Sequence, residues 1–495
     1  FSKQLILPAC LLGVLIVGPV LVLALGGEDS TSATTTRTSV DYLYYANETD
    51  VALCTLENES GKLVLERTEK KDDAGAITQE WTVKSPANPA YDATSVENLA
   101  TSFRTISSTR IIAESVTPAD LSKYGLDKPS AKLTVKETDG DTVVILLGNP
   151  AGSGSSYYAM AEGADKVHLV ATSVGDALLA EAMDYLGTAL CSAEYDSIKT
   201  VGLKRGSDDL DITARSTPFY DDSGALVELQ WQFTKPLVWM ADTLSIQPVI
   251  EEIIAAVATD FVAMDVSESD LAQYGLDDPS YVFEVTDENQ TYTITLGASA
   301  GSGLLFGTSS RIPGAVFVTA TESFTLVDAP FMQWVNGFVY LADITKVTRI
   351  DLKFDKVDLD IEVDAKAEPN VFSIDGKDAN IVNSNNKNYF KSFYQAIIGA
   401  TLAGVDMDAK PDLSDAIVTI RYTLREGDPV NVAFVPRDPY SLYAFVDGKY
   451  TGGYVDIDVL DDTDYSVGNV LPSGLRPAYQ GMVNAMAKAV DGVYN

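Results

Sequence analysis

The stretch DLSKYGLDKPS at residues 120–130 returns 150 positions later as DLAQYGLDDPS at residues 270–280. The same offset relates EWTVKSP at residues 80–86 to QWQFTKP at residues 230–236. A constant offset between separate motifs indicates that a whole folding unit has been duplicated, together with its loops. The chain therefore contains two copies of a unit of about 150 residues.

A third copy follows in degenerate form. DITKVTRIDLKF at residues 343–354 restarts the pattern of DSIKTVGLKRG at residues 196–206, and NYFKSFYQAIIGATLAG at residues 388–404 takes the position of the unit's helix. This copy lacks the Tyr-Gly-Leu-Asp stretch. The predicted organisation is a transmembrane anchor at 1–27, a Ser/Thr-rich tether at 28–50, and repeats at 51–192, 193–342 and 343–495.

The repeated stretch has the features of a capped helical turn. Thr117 can cap the turn, Asp120 can return the capping hydrogen bond, and Gly125 can end the turn in the left-handed conformation. Each position has a structural role, so we interpret the stretch as a structural joint. The joint comprises Thr117, Asp120, Leu121, Tyr124, Gly125, Leu126 and Pro129 in the first copy and Ser267, Asp270, Leu271, Tyr274, Gly275, Leu276 and Pro279 in the second.

Each unit has the pattern of a mixed α+β fold. KLTVKETDGDTVVILLG at residues 132–148 alternates over two strands around an Asp-Gly turn. Residues 95–107 and 173–187 have helical apolar spacing. Because strand follows strand directly, we expect antiparallel pairing. The predicted fold class is α+β: three tandem repeat units, each an antiparallel sheet with helices on one face, preceded by one transmembrane helix.

The order of these motifs resembles a known family. A Trp-containing stretch, a helix, the joint, and a Leu-Gly pair before a Gly-rich loop are similar to the DUF4340 family, a bacterial extracytoplasmic domain of unknown function, over residues 54–342. The resemblance implies a membrane-anchored protein found beside ABC-type transporters. It implies no catalytic residues.

The N-terminal segment predicts an anchor. LILPACLLGVLIVGPVLVLAL, between Leu5 and Leu25, has no charged residue and is long enough to cross a hydrocarbon core of about 30 Å as a helix. Lys3 precedes the run, and acidic residues follow it. The positive-inside tendency then predicts a single-pass membrane protein with a cytoplasmic N-terminus and an extracytoplasmic bulk. Its expected partners are the membrane and either other membrane-protein subunits or copies of itself.

The charge of the chain restricts its partners. The sequence has 71 acidic and 35 basic residues, a formal net charge of −36. Nucleic acids and anionic lipid surfaces attract cationic patches, so this composition argues against nucleic-acid binding.

Two cysteines of the ectodomain flank the first repeat. Cys54 and Cys191 lie near its two ends, and disulfides persist outside the cytoplasm. A bridge between them would close the repeat, and two buried free thiols are the alternative. The sequence leaves both open.

The sequence offers little for catalysis. The single histidine, His168, has Phe317 as its counterpart in the second copy, which indicates strand packing. The Gly-rich loops at 150–156 and 299–305 lack the Lys-Ser/Thr of a phosphate-binding loop. We therefore predict that the chain is not an enzyme and has no cofactor, with calcium as the one possible exception.

One acidic cluster predicts a calcium site, because carboxylate oxygens are preferred calcium ligands. The cluster consists of Asp456, Asp458, Asp461, Asp462 and Asp464.

Three hypotheses for the function follow. The first is a non-enzymatic, membrane-anchored extracytoplasmic scaffold or auxiliary subunit of an ABC-type transport or cell-envelope complex. The second is a self-assembling surface or filament-forming protein. The third is a glycan- or calcium-dependent binding module, for which an aromatic groove beside the acidic cluster would be the sign.

Overall fold

The structure is a computed structural model that describes residues 41–71, 77–152, 154–206, 210–221, 223–490 and 492–494. The predicted anchor between Leu5 and Leu25 and most of the predicted tether lie outside these residues. Among the helices that the structure describes, none is long and apolar enough to span a membrane.

The first unit is made of one large and one small antiparallel sheet. Its strands are β1 (Asp41–Tyr45), β2 (Val51–Asn58), β3 (Gly61–Lys71), β4 (Ile77–Ser85), β5 (Thr105–Ser108), β6 (Arg110–Ala113), β7 (Ala131–Glu137), β8 (Thr142–Pro150), β9 (Ser156–Ala161) and β10 (Val167–Ala171). Its helices are α1 (Ala93–Arg104), α2 (Thr172–Leu178) and 3₁₀ helices at Glu48–Asp50, Pro118–Tyr124 and Ala182–Tyr185. Strands β1 and β5 form the small sheet.

The second unit has one nine-stranded sheet. Its strands are β11 (Thr200–Arg205), β12 (Leu210–Tyr220), β13 (Leu226–Lys235), β14 (Trp239–Met240), β15 (Asp260–Ala263), β16 (Tyr281–Thr286), β17 (Thr291–Gly301), β18 (Leu304–Ser309) and β19 (Val316–Ala320). Its helices are α3 (Thr243–Ile254) and 3₁₀ helices at Tyr195–Ser197, Glu268–Tyr274, Thr321–Phe324 and Phe331–Gln333.

The third unit again has nine strands. They are β20 (Val347–Phe354), β21 (Val357–Asp364), β22 (Val371–Ile374), β23 (Lys377–Asp378), β24 (Leu402–Val405), β25 (Val418–Leu424), β26 (Val430–Asp438), β27 (Ser441–Val446) and β28 (Lys449–Asp456). Its helices are α4 (Tyr389–Ile398), α5 (Asp458–Asp461), α6 (Leu475–Lys488) and a 3₁₀ helix at Leu413–Asp415.

The three large sheets share one strand order. It runs β4-β3-β2-β7-β8-β9-β10-β6 in the first unit, β14-β13-β12-β11-β16-β17-β18-β19-β15 in the second and β23-β22-β21-β20-β25-β26-β27-β28-β24 in the third. The common order extends over the residues for which the sequence indicated a degenerate copy. Within each sheet a meander of consecutive strands lies on either side of the unit's first long strand.

The predicted fold class was wrong. The described residues are dominated by four antiparallel sheets, with 28 strands against six α-helices, and none of these helices is a transmembrane helix. Helical segments also lie on both faces of the first sheet. Helix α1 packs on one face, at Leu133 and Ile145. The 3₁₀ joint packs on the opposite face, at Leu146 and Met160. Strand β8 is apolar on both faces, so both must be covered.

The predicted second helix at 173–187 was also too long. The chain is α-helical over Thr172–Leu178 and then forms a separate 3₁₀ turn over Ala182–Tyr185. After that turn the chain forms the linker to the next unit. The backbone of the linker makes hydrogen bonds to other segments, so it does not form the hydrogen bonds of a helix.

The linker between the first two units pairs with both of them. At its first-unit end, the Asp92 N–H donates to the Tyr185 carbonyl over 2.9 Å. At its second-unit end, the Ala258 N–H donates to the Thr188 carbonyl over 2.7 Å. The linker thus lies as a short extended segment between the units.

The linker between the second and third units repeats this pairing. The Asp242 N–H donates to the Trp334 carbonyl over 2.8 Å, and the Leu402 N–H donates to the Gly337 carbonyl over 2.7 Å. The buried residues of the second and third units form one continuous core, which includes Trp334. Two junctions of the same design therefore join the units into one array.

Candidate binding cleft between the second and third units

The first predicted joint forms the capped turn that its sequence predicts, as a 3₁₀ helix. The Thr117 hydroxyl donates to the Asp120 carboxylate over 2.7 Å, and the Thr117 N–H donates to the same carboxylate over 3.2 Å. Gly125 ends the turn with φ 71°, and the Leu126 N–H donates to the Leu121 carbonyl over 3.0 Å.

The second joint repeats the hydroxyl contact and the left-handed end of the turn. The Ser267 hydroxyl donates to the Asp270 carboxylate, Gly275 has φ 67°, and the Leu276 N–H donates to the Leu271 carbonyl over 3.2 Å. The tyrosines of the two joints also have equivalent ring contacts. The Tyr124 ring lies 5.1 Å from that of Tyr158, and the Tyr274 ring lies 5.2 Å from that of Phe306.

Each joint packs on the Leu-Gly pair of its own sheet. Gly148 lies directly under the Tyr124 carbonyl, with no space for a Cβ atom between them. After Pro129, the Ser130 hydroxyl donates to the Leu147 carbonyl over 3.1 Å. After Pro279, the Ser280 hydroxyl donates to the Gly297 carbonyl over 3.2 Å, as the Ser130 hydroxyl also does to the Gly148 carbonyl. The YGLD stretch and the Leu-Gly pair are therefore two halves of one packing contact, which explains why both occur twice.

His168 has a packing environment on strand β10. Its Nδ1 lies 2.9 Å from the Ser108 hydroxyl, and burial, with a smaller contribution from Lys166, lowers the pKa of its imidazole. Its counterpart Phe317 is fully buried.

Of the two alternatives that the sequence left open for Cys54 and Cys191, the structure has the two buried free thiols. Cys54 lies in the core of the first unit, whereas Cys191 lies in the core that begins at the first linker. Burial raises the pKa of the Cys54 thiol to about 12 and also raises that of Cys191. The two side chains lie in separate cores, so their positions at the two ends of the first repeat do not bring them into contact.

The five carboxylates predicted as calcium ligands do not converge. Both oxygens of Asp461 accept hydrogen bonds from Arg476 over 2.9 Å, and the Asp462 carboxylate accepts from the Asp464 N–H over 2.8 Å. Asp456, Asp458 and Asp462 line one cavity of about 230 Å³. Within the described ranges, no group of three or more His, Cys, Asp or Glu side chains is placed to hold a metal ion.

A cleft of about 660 Å³ lies at the second junction. Its walls come from β14, from the linker after Trp334, from Met407 after β24, and from the β27–β28 hairpin. Five large apolar side chains of its lining are solvent-exposed. They are Val238 (67% exposed), Met240 (44%), Phe338 (39%), Leu341 (58%) and Met407 (51%).

Aromatic side chains of the cleft are held in place by hydrogen bonds to the backbone. The Trp239 indole N–H donates to the Asn336 carbonyl over 2.6 Å, and the Tyr450 hydroxyl donates to the Asp406 carbonyl over 2.7 Å. Burial raises the pKa of Tyr450, so its hydroxyl remains a donor at ordinary pH. The cleft therefore has defined walls before anything binds.

The first junction provides an internal comparison. The offset of 150 that relates the units, and the matched linker hydrogen bonds, place smaller or more polar residues at the cleft positions. Asn88, Pro89 and Ala90 correspond to Val238, Trp239 and Met240, and Ala189 and Ser192 correspond to Phe338 and Leu341.

A longer hairpin fills the first junction. The loop after β18 carries Arg311, whose guanidinium donates to the Ala189 carbonyl over 3.0 Å and to the Ser192 hydroxyl. The Asn88 amide also donates to the Pro313 carbonyl over 3.0 Å. The equivalent hairpin of the third unit has only a two-residue turn, Asp447–Gly448, with positive φ at both residues. The shorter hairpin leaves the second junction open.

The charge of the cleft differs from that of the chain. Among the described residues, no acidic side chain lines the cleft, and Lys449 is the one charged residue of its lining. In the part of the chain that the structure describes, the Lys449 ammonium makes no ion pair or hydrogen bond.

Sequence reasoning did not find this site. The signal lay in the comparison of the repeats, where VWM at 238–240 replaces NPA at 88–90.

The fold defines a repeat protein built from three antiparallel sheets, with an apolar cleft at one of its two junctions. The sequence matches the DUF4340 family, a domain of unknown function, over residues 81–224 and 231–396. The matched regions make up more than half of the chain, and the chain belongs to this family in tandem copies. No curated protein and no solved structure matches it.

Proposed function

We propose that this chain is a non-enzymatic scaffold that holds a binding partner in the junction cleft. The observation that carries the proposal is the difference between two equivalent junctions. The first junction is filled by the β18–β19 hairpin of the second unit. The second junction exposes large apolar side chains between defined walls. Exposed apolar surface of this kind is typical of binding sites.

The array supports a scaffold because both linkers make the same backbone hydrogen bonds to their two units. The cleft is therefore presented at a set position along the array. The finer assignment, an auxiliary subunit of an ABC-type transport or cell-envelope complex on the outer face of a membrane, draws its support from the likeness to the DUF4340 family.

The test is site-specific photo-crosslinking in the native host. A photoreactive amino acid is placed at Leu341 in the open junction and, as the matched control, at Ser192 in the closed junction. Both positions are exposed in the structure, so both variants should fold. We expect an adduct with a second component at position 341 that is absent or much weaker at position 192.

Two outcomes would contradict the proposal. Equal labelling at the two positions would show that the open junction has no binding role. Adducts between copies of this chain alone would favour the self-assembling protein instead.

A further inference from the structure

We infer that the occupant of the junction cleft is a small amphiphile with an apolar chain and one anionic group, and that Lys449 selects the anion. This inference rests on the proposed function in that it names what the cleft holds.

The apolar part follows from the walls. Leu341 and Val238 are more than half exposed, although the same positions at the first junction carry Ser192 and Asn88. Apolar side chains on both sides of a cleft are unfavourable in water. An apolar chain that binds between them removes their surface from water, which is favourable.

The anionic part follows from the cations of the two hairpins. Each junction hairpin carries one cation at the linker: Arg311 at the first and Lys449 at the second. Arg311 is satisfied by the Ala189 carbonyl and the Ser192 hydroxyl. Lys449 makes no such contact within the described residues. A single unpaired cation in an apolar cleft, on a chain of net charge −36, is complementary to an anion.

The size of the cleft favours a small ligand over a polypeptide. Small-molecule sites have volumes of about 300–1,000 Å³, and the cleft has about 660 Å³. A stable protein interface needs about 800 Å² from each partner, and the exposed lining of the cleft is far smaller than that.

Trp239 provides a selective reporter. The chain has four tryptophans, of which Trp81, Trp231 and Trp334 are buried, whereas Trp239 is half-buried in the cleft wall. The probe is 11-bromoundecanoate below its micelle-forming concentration, because its bromine quenches an indole that it contacts. We expect saturable quenching of Trp239 fluorescence, lost in a Trp239→Phe variant.

Three variants test the site. Val238→Asn with Leu341→Ser introduces the residues of the closed junction and should weaken binding at least about tenfold, because several buried methylene groups are lost. Lys449→Gln should weaken it about two- to fivefold, the range for an exposed ion pair, and should remove its salt dependence. Arg215→Ala, on an exposed face of β12, should leave binding unchanged.

Headgroup variation separates charge from chain. The inference is overturned if 11-bromoundecanol or the matching trimethylammonium compound quenches Trp239 at the same concentration as the carboxylate. It is also overturned if no probe quenches Trp239, or if the double variant binds as well as the parent. In those cases a polypeptide adduct at position 341 would still support the scaffold, whereas equal crosslinking at 341 and 192 would remove the scaffold itself.

Discussion

At the residue scale, the joint approaches the sheet too closely for a side chain at Gly148. A methyl group at Gly148 would overlap the Tyr124 carbonyl oxygen, a backbone atom held by the 3₁₀ turn. We expect Gly148→Ala to lower the free energy of unfolding by about 1–3 kcal/mol, the usual cost of overpacking. Urea denaturation followed by circular dichroism measures the change.

Gly202 on β11 is the matched control. The nearest atom to a Cβ there is the Glu284 Cβ at 3.4 Å, an ordinary contact. Alanine is favoured over glycine within a strand, so Gly202→Ala should leave stability unchanged or raise it by up to about 1 kcal/mol. Equal losses in both variants would show that the joint contact is not the cause.

The single histidine predicts a pH dependence. Burial lowers the pKa of His168 in the folded chain below its ordinary value of about 6.5, which applies to the unfolded chain. At pH values between the folded and the unfolded pKa, the unfolded chain therefore binds more protons than the folded chain. The free energy of unfolding therefore falls as the pH falls through about 6.5 and is unaffected by this group at higher pH.

His168→Phe copies the second repeat and removes the titrating group. We expect the difference in stability between parent and variant to be constant above about pH 7 and to shift in favour of the variant below about pH 6.5. Denaturant titrations at several pH values measure it. A difference that stays constant across this range would show that His168 has the same pKa in both states.

At the element scale, the 3₁₀ joint covers the second face of the large sheet in each of the first two units. Leu126 is buried between the joint and β8, with 2% of its surface exposed. The third unit has only the short 3₁₀ helix Leu413–Asp415 there, and Leu413 is 37% exposed. The third unit, whose short hairpin leaves the cleft open, therefore has only a small remnant of the joint.

This difference predicts unequal costs of truncation. Leu126→Ala should lower the free energy of unfolding by about 2–5 kcal/mol, because it leaves a cavity under the joint. Leu413→Ala should cost less than about 1 kcal/mol, because the side chain is already partly in water. Thermal and urea unfolding of both variants check the prediction, and similar losses would contradict a reduced joint in the third unit.

At the scale of the whole molecule, the first junction is held by side chains that cross it. Arg311 of the second unit donates to the linker at Ala189 and Ser192. Arg311→Ala should cost about 1.5–3 kcal/mol, the contribution of hydrogen bonds from a charged group.

Hydrogen exchange measures the consequence for the array. We expect faster exchange in residues 185–192 of the Arg311→Ala variant, with little change in the third unit. Arg215→Ala, which removes an exposed arginine of the same unit, should leave exchange in the linker unchanged. If both variants exchange alike, Arg311 does not join the first two units.

Much of this architecture could be predicted from local sequence. The repeat, the capped turn and the strand pairs depend on residues close in the chain, and Thr117, Asp120 and Gly125 specify a turn by themselves. The helical face of α1 follows in the same way from Val96, Leu99 and Phe103, which are buried as their spacing predicts. The helix predicted over 95–107 was too long, because Ile106 lies in β5. The arrangement of the acidic cluster could not be predicted from local sequence, because the sequence does not show that Asp461 pairs with Arg476.

The sequence by itself determined that this protein is a tandem array of DUF4340-type units with a repeated structural joint. Only the tertiary structure decided which faces of the sheets are covered, that Cys54 and Cys191 are apart, and that one junction is open. The physical reason is range: caps, turns and strand periodicity arise between neighbouring residues, whereas the cleft arises where Trp239, Leu341 and Lys449 from three separate segments meet.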